Sequence, residues 1–201
     1  MNVDTTTVDG IERAEELDLI TSGMVDVMIS PHVRKISDIF SWENQGRMFA
    51  FFRHPIEREL DRGKSGDFRD NYMTRLIINK WEGELNFVDL GNAKKVIREK
   101  CVVGLLDEFK MESLERIVKY FGWEGSQLCL EEYAAKMPDE EYGDLVDGTD
   151  ENWQLLHKYN VYDVQLYEYA RTTFRAQRQT LVPLAKQFEL FGDPEGEREN
   201  P

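Results

Sequence analysis

A chain of 201 residues, 41% hydrophobic and 11% aromatic, is the right size for one domain with a sizeable core, which excludes a disordered chain. Its 39 acidic against 25 basic side chains leave a net charge of -14, a field that repels polyanions and argues against nucleic acid, although a local basic pocket could still hold a nucleotide. Two cysteines, Cys101 and Cys129, are too few for a disulfide scaffold and lack metal-ligand spacing, and no stretch approaches the roughly 20 apolar residues of a membrane span.

From the start, Met1 to Val8 is polar, and its acidic character is wrong for a signal peptide. Gly10 to Ile20 places Ile11, Ala14 and Leu17, with Ile20 at its end, on one helical face. Val25 to Ile29 reads as a core strand ending at Ser30-Pro31-His32, and the helix after it carries Val33, Ile36, Ile39 and Phe40 inward. A histidine just past a strand end is either a capping or surface group or, given the near-neutral pKa of imidazole, a general base.

Met48 to Phe52 is a short apolar, aromatic run between Gly46 and Arg53-His54-Pro55, the pattern of a strand buried on both faces of a parallel sheet. Pro55 suits the first turn of a following helix, so Arg53 falls at the strand-to-helix mouth, where open α/β sheets bind ligands. There an arginine can fork onto a phosphate or pair with a surface carboxylate. Asp61 to Asp70 is a loop with Gly63, Ser65 and Gly66 among charges. Asp70 to Trp81 is a helix striped by Tyr72, Met73, Leu76 and Ile77, with Thr74 and Arg75 flanking the stripe; Arg75 can equally be a solvated ion-pair partner.

Asn92 to Lys100 is helical by the spacing of Ala93, Val96 and Ile97, and Lys100 suits the negative end of its dipole. Cys101 to Leu106 is a third buried strand, and Cys101 within it reads as a buried thiol. Asp107-Glu108 at its exit can receive a proton, bind a sugar hydroxyl or simply be solvated. Met111 to Phe121 follows as a helix stopped by Gly122. Three apolar strands separated by helices argue for parallel pairing through crossover connections.

Glu124 to Glu151 is an acidic, irregular excursion containing Pro138. Asn160 caps the longest helix, whose stripe is Tyr167, Ala170, Phe174, Leu181, Leu184 and Phe188; Gln177 breaks the pattern and argues against a coiled coil, and Pro183 is expected to kink or interrupt the helix. Gly192 to Pro201 is a polar tail. There is no internal repeat and no second domain, so residues 1–191 are read as one unit.

Four ordered segments carry a resemblance. Arg53-x-Pro55-x-x-Arg58 closing an aromatic strand is similar to the 3′-phosphate-binding segment of sulfotransferases that use 3′-phosphoadenosine 5′-phosphosulfate (PAPS). Asn71-Tyr72-Met73-Thr74-Arg75 is similar to the Asn-x-x-Thr-Arg stretch of the carbohydrate-type members. Ala93 to Trp123, with Val103-Gly104-Leu105 and Phe121-Gly122-Trp123, resembles their late strand and helix, and Asn160-x-x-Asp163-x-x-Leu166-Tyr167 the start of their last helix. Together these cover about residues 25–179.

That resemblance implies an α/β fold with a three-layer parallel sheet of the P-loop/sulfotransferase type, lacking its amino-terminal unit and closed by a long C-terminal helix. It implies PAPS as sulfuryl donor, with Arg53, Arg58 and Arg75 toward the cofactor, and a carbohydrate hydroxyl as acceptor. Pro31-His32-Val33 stands where uronosyl-type members carry Gly-His-Val, which implies His32 as base. The serine that the family places eight residues after the arginine is Asp61 here, a repulsive neighbour for a phosphate. The family's Lys- and Gly-containing 5′-phosphosulfate loop has no counterpart from Met1 to Met24, and the segment that usually walls the acceptor site is short, which implies a more open cleft. Family members are usually membrane-anchored and face the Golgi lumen. Two expectations follow: a sulfotransferase domain completed by a longer gene product or another chain, or a degenerate, non-catalytic relative that binds or interacts. A nucleotide phosphatase or kinase would need a glycine-rich phosphate loop that is not present.

Overall fold

The computed structural model describes residues 3–25, 27–40, 48–62, 68–120, 131–132 and 151–189, of which 62 and 179–189 are described in backbone only. The chain is α/β: eight helices surround a two-stranded parallel sheet among the described residues. In order these are α1 (Val8–Glu16), α2 (Val33–Ile39), β1 (Met48–Phe52), α3 (Pro55–Arg62), α4 (Tyr72–Ile78), α5 (Phe87–Lys100), β2 (Cys101–Leu105), α6 (Lys110–Tyr120), α7 (Glu151–Tyr159) and α8 (Val161–Glu189).

β1 and β2 pair in parallel from Met48 opposite Cys101 to Phe52 opposite Leu105, and the ladder runs one bond further, Leu106 N–H to the Phe52 carbonyl at 2.9 Å. Parallel strands need a crossover, and α3 to α5 supply it. β2 is buried along its whole length, as its unbroken apolar run requires. Gly104 lets the sheet close: a β-carbon there would lie 2.6 Å from the Phe51 ring opposite. Gln177 of α8 fits the same strand, its side-chain amide donating to the Cys101 carbonyl (2.7 Å) and accepting from Val103 N–H (2.9 Å). The residue that interrupts the apolar stripe therefore satisfies backbone groups of β2 that no second strand among the described residues pairs. Burial pushes the Cys101 thiol up to about 12, so it is an inert core group.

The core joins Phe52, Val103 and Leu105 of the sheet to Met73 and Ile77 of α4, Leu90, Ala93 and Ile97 of α5, and Leu166, Tyr167, Ala170 and Phe174 of α8. α5 starts five residues before the expected Asn92 because Asn86 and Asp89 form a capping box ahead of it. α8 is assigned helical through Pro183 to Glu189, without the expected interruption. Asp61 and Arg62, expected in a loop, belong to α3. The acidic excursion lies almost wholly, and Cys129 and the polar tail entirely, outside the described residues.

Two strand expectations change. Residues 25 and 27–29 form no strand: Ile29 is 81% exposed, and its carbonyl is taken by the Thr5 hydroxyl at 2.7 Å. An apolar run without a partner strand buries no face and its backbone bonds elsewhere. β1 is half-covered rather than buried on both faces, with Phe52 in the core and Phe51 exposed.

Candidate functional site

The carboxyl ends of β1 and β2 open onto one rim. Arg53 leaves β1 there, just before Pro55 begins α3, and its Nη2 donates to Asp61 Oδ2 at 2.5 Å. Asp61 lies two helical turns into α3, so the helix itself returns a carboxylate to the strand end. Both side chains remain partly solvated, and such a pair is worth about 1 kcal/mol or less.

His54 follows Arg53. Its backbone N–H donates to Asp107 Oδ2 at 2.7 Å, and the Tyr167 hydroxyl donates to the same oxygen at 2.6 Å. The exit of β2 is thereby tied to α3 and α8 through one carboxylate. The His54 ring meets the Tyr167 ring edge-on at 5.3 Å, and its Nδ1 is buried without a hydrogen-bond partner among the described residues. Burial lowers the His54 pKa, with Asp107 opposing, which favours neutral imidazole. Burial also drives the Tyr167 pKa upward, reinforced by its hydrogen bond to Asp107, so it stays a donor. Glu108 is gripped by Arg171, Nε at 2.8 Å and Nη2 at 2.9 Å, and Arg171 also holds Glu168 at 3.0 Å.

Glu57 completes the rim from the first turn of α3. Its Oε2 is buried and has no hydrogen-bond partner among the described residues. Burial, then the charge of Asp107, raises its pKa to about 7; Arg53 opposes, and Asp61 and Glu108 reinforce. A carboxyl whose burial and acidic neighbours move its pKa toward neutrality is a functional candidate in its own right.

The residues singled out from sequence divide cleanly. Arg53 and Asp61 meet at the rim. Arg58 turns inward: Nη2 lies 2.7 Å from the buried Glu59 and 3.6 Å from Asp163, and its guanidinium covers the Tyr72 ring at 5.1 Å. Arg75 is 7% exposed and spends its guanidinium on the ends of α4, donating to Asp70 O (3.0 Å), Asp70 Oδ2 (2.9 Å), Lys80 O (3.2 Å) and Gly83 O (3.1 Å). His32 is not at a strand end; its Nε2 donates to the Thr6 carbonyl at 3.0 Å, which fastens α2 to the amino-terminal segment. That bond places the ring proton on Nε2.

Asn71, Thr74, Asn160 and Asp163 are structural partners. Asp163 accepts from the N–H groups of Met73 and Thr74 and from the Thr74 hydroxyl, each at 2.8 Å. Asn71 Oδ1 accepts from Tyr162 N–H (2.8 Å) and Asp163 N–H (3.2 Å), while Asn160 Oδ1 accepts from Asn71 N–H (3.0 Å). Each of α4 and α8 is capped by a residue of the other. Burial raises the Asp163 pKa, opposed by those N–H groups, the Thr74 hydroxyl and Arg58.

Glu57, His54, Tyr167 and Arg171 are rim residues that the sequence did not single out for chemistry. The available signal for Glu57 was its spacing, four residues from Arg53 and four from Asp61 across a helix start. Among the described residues no group of three or more His, Cys, Asp or Glu side chains could hold a metal ion, and no helix is long and apolar enough to cross a membrane. No protein-family model, no curated protein and no solved structure matches this chain.

Proposed function

We propose that this chain is a sulfotransferase-like domain, its parallel strand pair belonging to a three-layer sheet of that class, and that Arg53 takes the 3′-phosphate of PAPS. When bound, PAPS supplies the sulfuryl group for a carbohydrate-type hydroxyl. The supporting observation is the position of Arg53: a partly exposed guanidinium at the carboxyl end of a parallel strand, immediately before a helix begun by proline. A fork onto a phosphate exceeds the strength of a half-solvated ion pair, so an incoming phosphate can displace Asp61 at a cost of about 1 kcal/mol. Asp61 has room to turn to solvent, since its side chain is 43% exposed.

The Arg53–Asp61 pair favours a second reading, a non-catalytic relative that binds or interacts without PAPS, its arginine neutralised internally. Calorimetry with 3′,5′-adenosine diphosphate (PAP) separates the two. Binding that is lost in Arg53→Ala supports the nucleotide reading; no binding by either wild type or Asp61→Ser supports the second.

A further inference from the structure

Glu57 stands in the first turn of α3, four residues beyond Arg53. Its Oε2 is enclosed at the strand ends without a hydrogen-bond partner among the described residues, while Asp107 beside it accepts from His54 N–H and the Tyr167 hydroxyl. An ionised carboxylate enclosed without a donor is costlier than the neutral acid, and the neutral acid has one proton to give to an incoming ligand. The charges around it act unequally. Asp107 and Glu108 from the exit of β2 and Asp61 from α3 favour the acid, Arg53 favours the anion, and α8 acts through Tyr167 on Asp107 and Arg171 on Glu108. With burial the balance lies at about 7.

We propose that Glu57, as the protonated acid, is the hydrogen-bond donor that completes an anion site with Arg53. The ligand is a phosphate or sulfate ester, which receives the Arg53 fork and one hydrogen bond from the Glu57 carboxyl when Asp61 turns to solvent. This rests on Arg53 being the phosphate-binding residue, and it supplies the donor that an aspartate at position 61 cannot. Binding then requires one proton on Glu57, so acid favours the complex and alkali releases it.

Inorganic sulfate is the probe, because its charge is constant across the pH range concerned. With the full chain at low ionic strength, sulfate affinity followed by chemical-shift titration is expected to fall about tenfold from pH 6 to pH 8. Glu57→Gln, whose amide donates at every pH, should bind with no such slope and about tenfold more tightly than wild type at pH 8. Glu57→Ala should lose affinity at pH 6, and circular dichroism checks that each variant is folded. A flat wild-type profile, or a slope that survives in folded Glu57→Gln, overturns the assignment. PAP binding with a flat sulfate profile removes Glu57 alone; the predicted sulfate slope without PAP binding upholds the anion site and removes the nucleotide reading. No binding of either probe overturns both.

Discussion

Asn71 and Asp163 cap each other's helices. The Asn71 carboxamide accepts from the first turn of α8, and the Asp163 carboxylate accepts from the first turn of α4. Asn71 can do this because it adopts a left-handed backbone conformation, φ 48°, which asparagine tolerates better than most residues. Two chain segments read separately as sequence motifs are thus halves of one buried joint. The joint holds α4 and α8 together beneath the rim, which ties the stability of the fold to the positioning of Tyr167.

Removal of one half of that joint should be costly. Asp163→Ala leaves two backbone N–H groups and the Thr74 hydroxyl without their acceptor in a fully buried site, at about 1 kcal/mol or more for each. A loss of about 3 kcal/mol in denaturant unfolding is expected for Asp163→Ala. Thr74→Val, which removes one hydrogen bond, should lose about 1 kcal/mol. Equal losses for the two would contradict the shared-cap description.

The approach of Phe51 to Gly104 makes a second prediction. A methyl group at position 104 must move the Phe51 ring or part the strands, since it would sit 2.6 Å from the ring and 3.3 Å from the Ser113 β-carbon. Gly104→Ala should destabilise by about 1–3 kcal/mol, and Phe51→Leu in the same chain should recover part of that loss. A double-mutant cycle by urea denaturation measures the coupling.

Asp61 competes with any anion for Arg53. Asp61→Ser removes this one carboxylate and should strengthen PAP binding by about fivefold, the equivalent of about 1 kcal/mol, while Arg53→Ala should abolish it. Isothermal calorimetry at fixed ionic strength reads both.

Stability should also depend on pH through Glu57. Its pKa is raised from the ordinary 4.5 to about 7 in the folded chain, chiefly by burial, so the unfolded chain releases this proton first. This group therefore makes stability fall as pH rises from about 4.5 to about 7, and the loss persists above that. Glu57→Gln has no proton to lose there. Relative to its own value at pH 4, its denaturation midpoint at pH 8 should fall less than that of wild type.

Local chemistry was enough to read the apolar runs 48–52 and 101–106 as parallel strands, the arginine at the end of the first, and most of the helices around them. Each of those features is set by residues close together in the chain: a run of β-formers, a proline after it, apolar side chains at helical spacing. The long-range pairings were not legible. His32 and Arg75 have the residue types of a site, yet one ties down the amino-terminal segment and the other braces α4, because their partners, the Asp70 carboxylate apart, are backbone carbonyls that carry no sequence signature. Gln177 looked like a flaw in a helix until β2 was beside it. Glu57 was not singled out, because a side chain's titration depends on what the fold encloses with it. Residue order fixes where chain can pair and where charge stands; folding selects which of those charges are enclosed together, since burial and distance are properties of the packed chain.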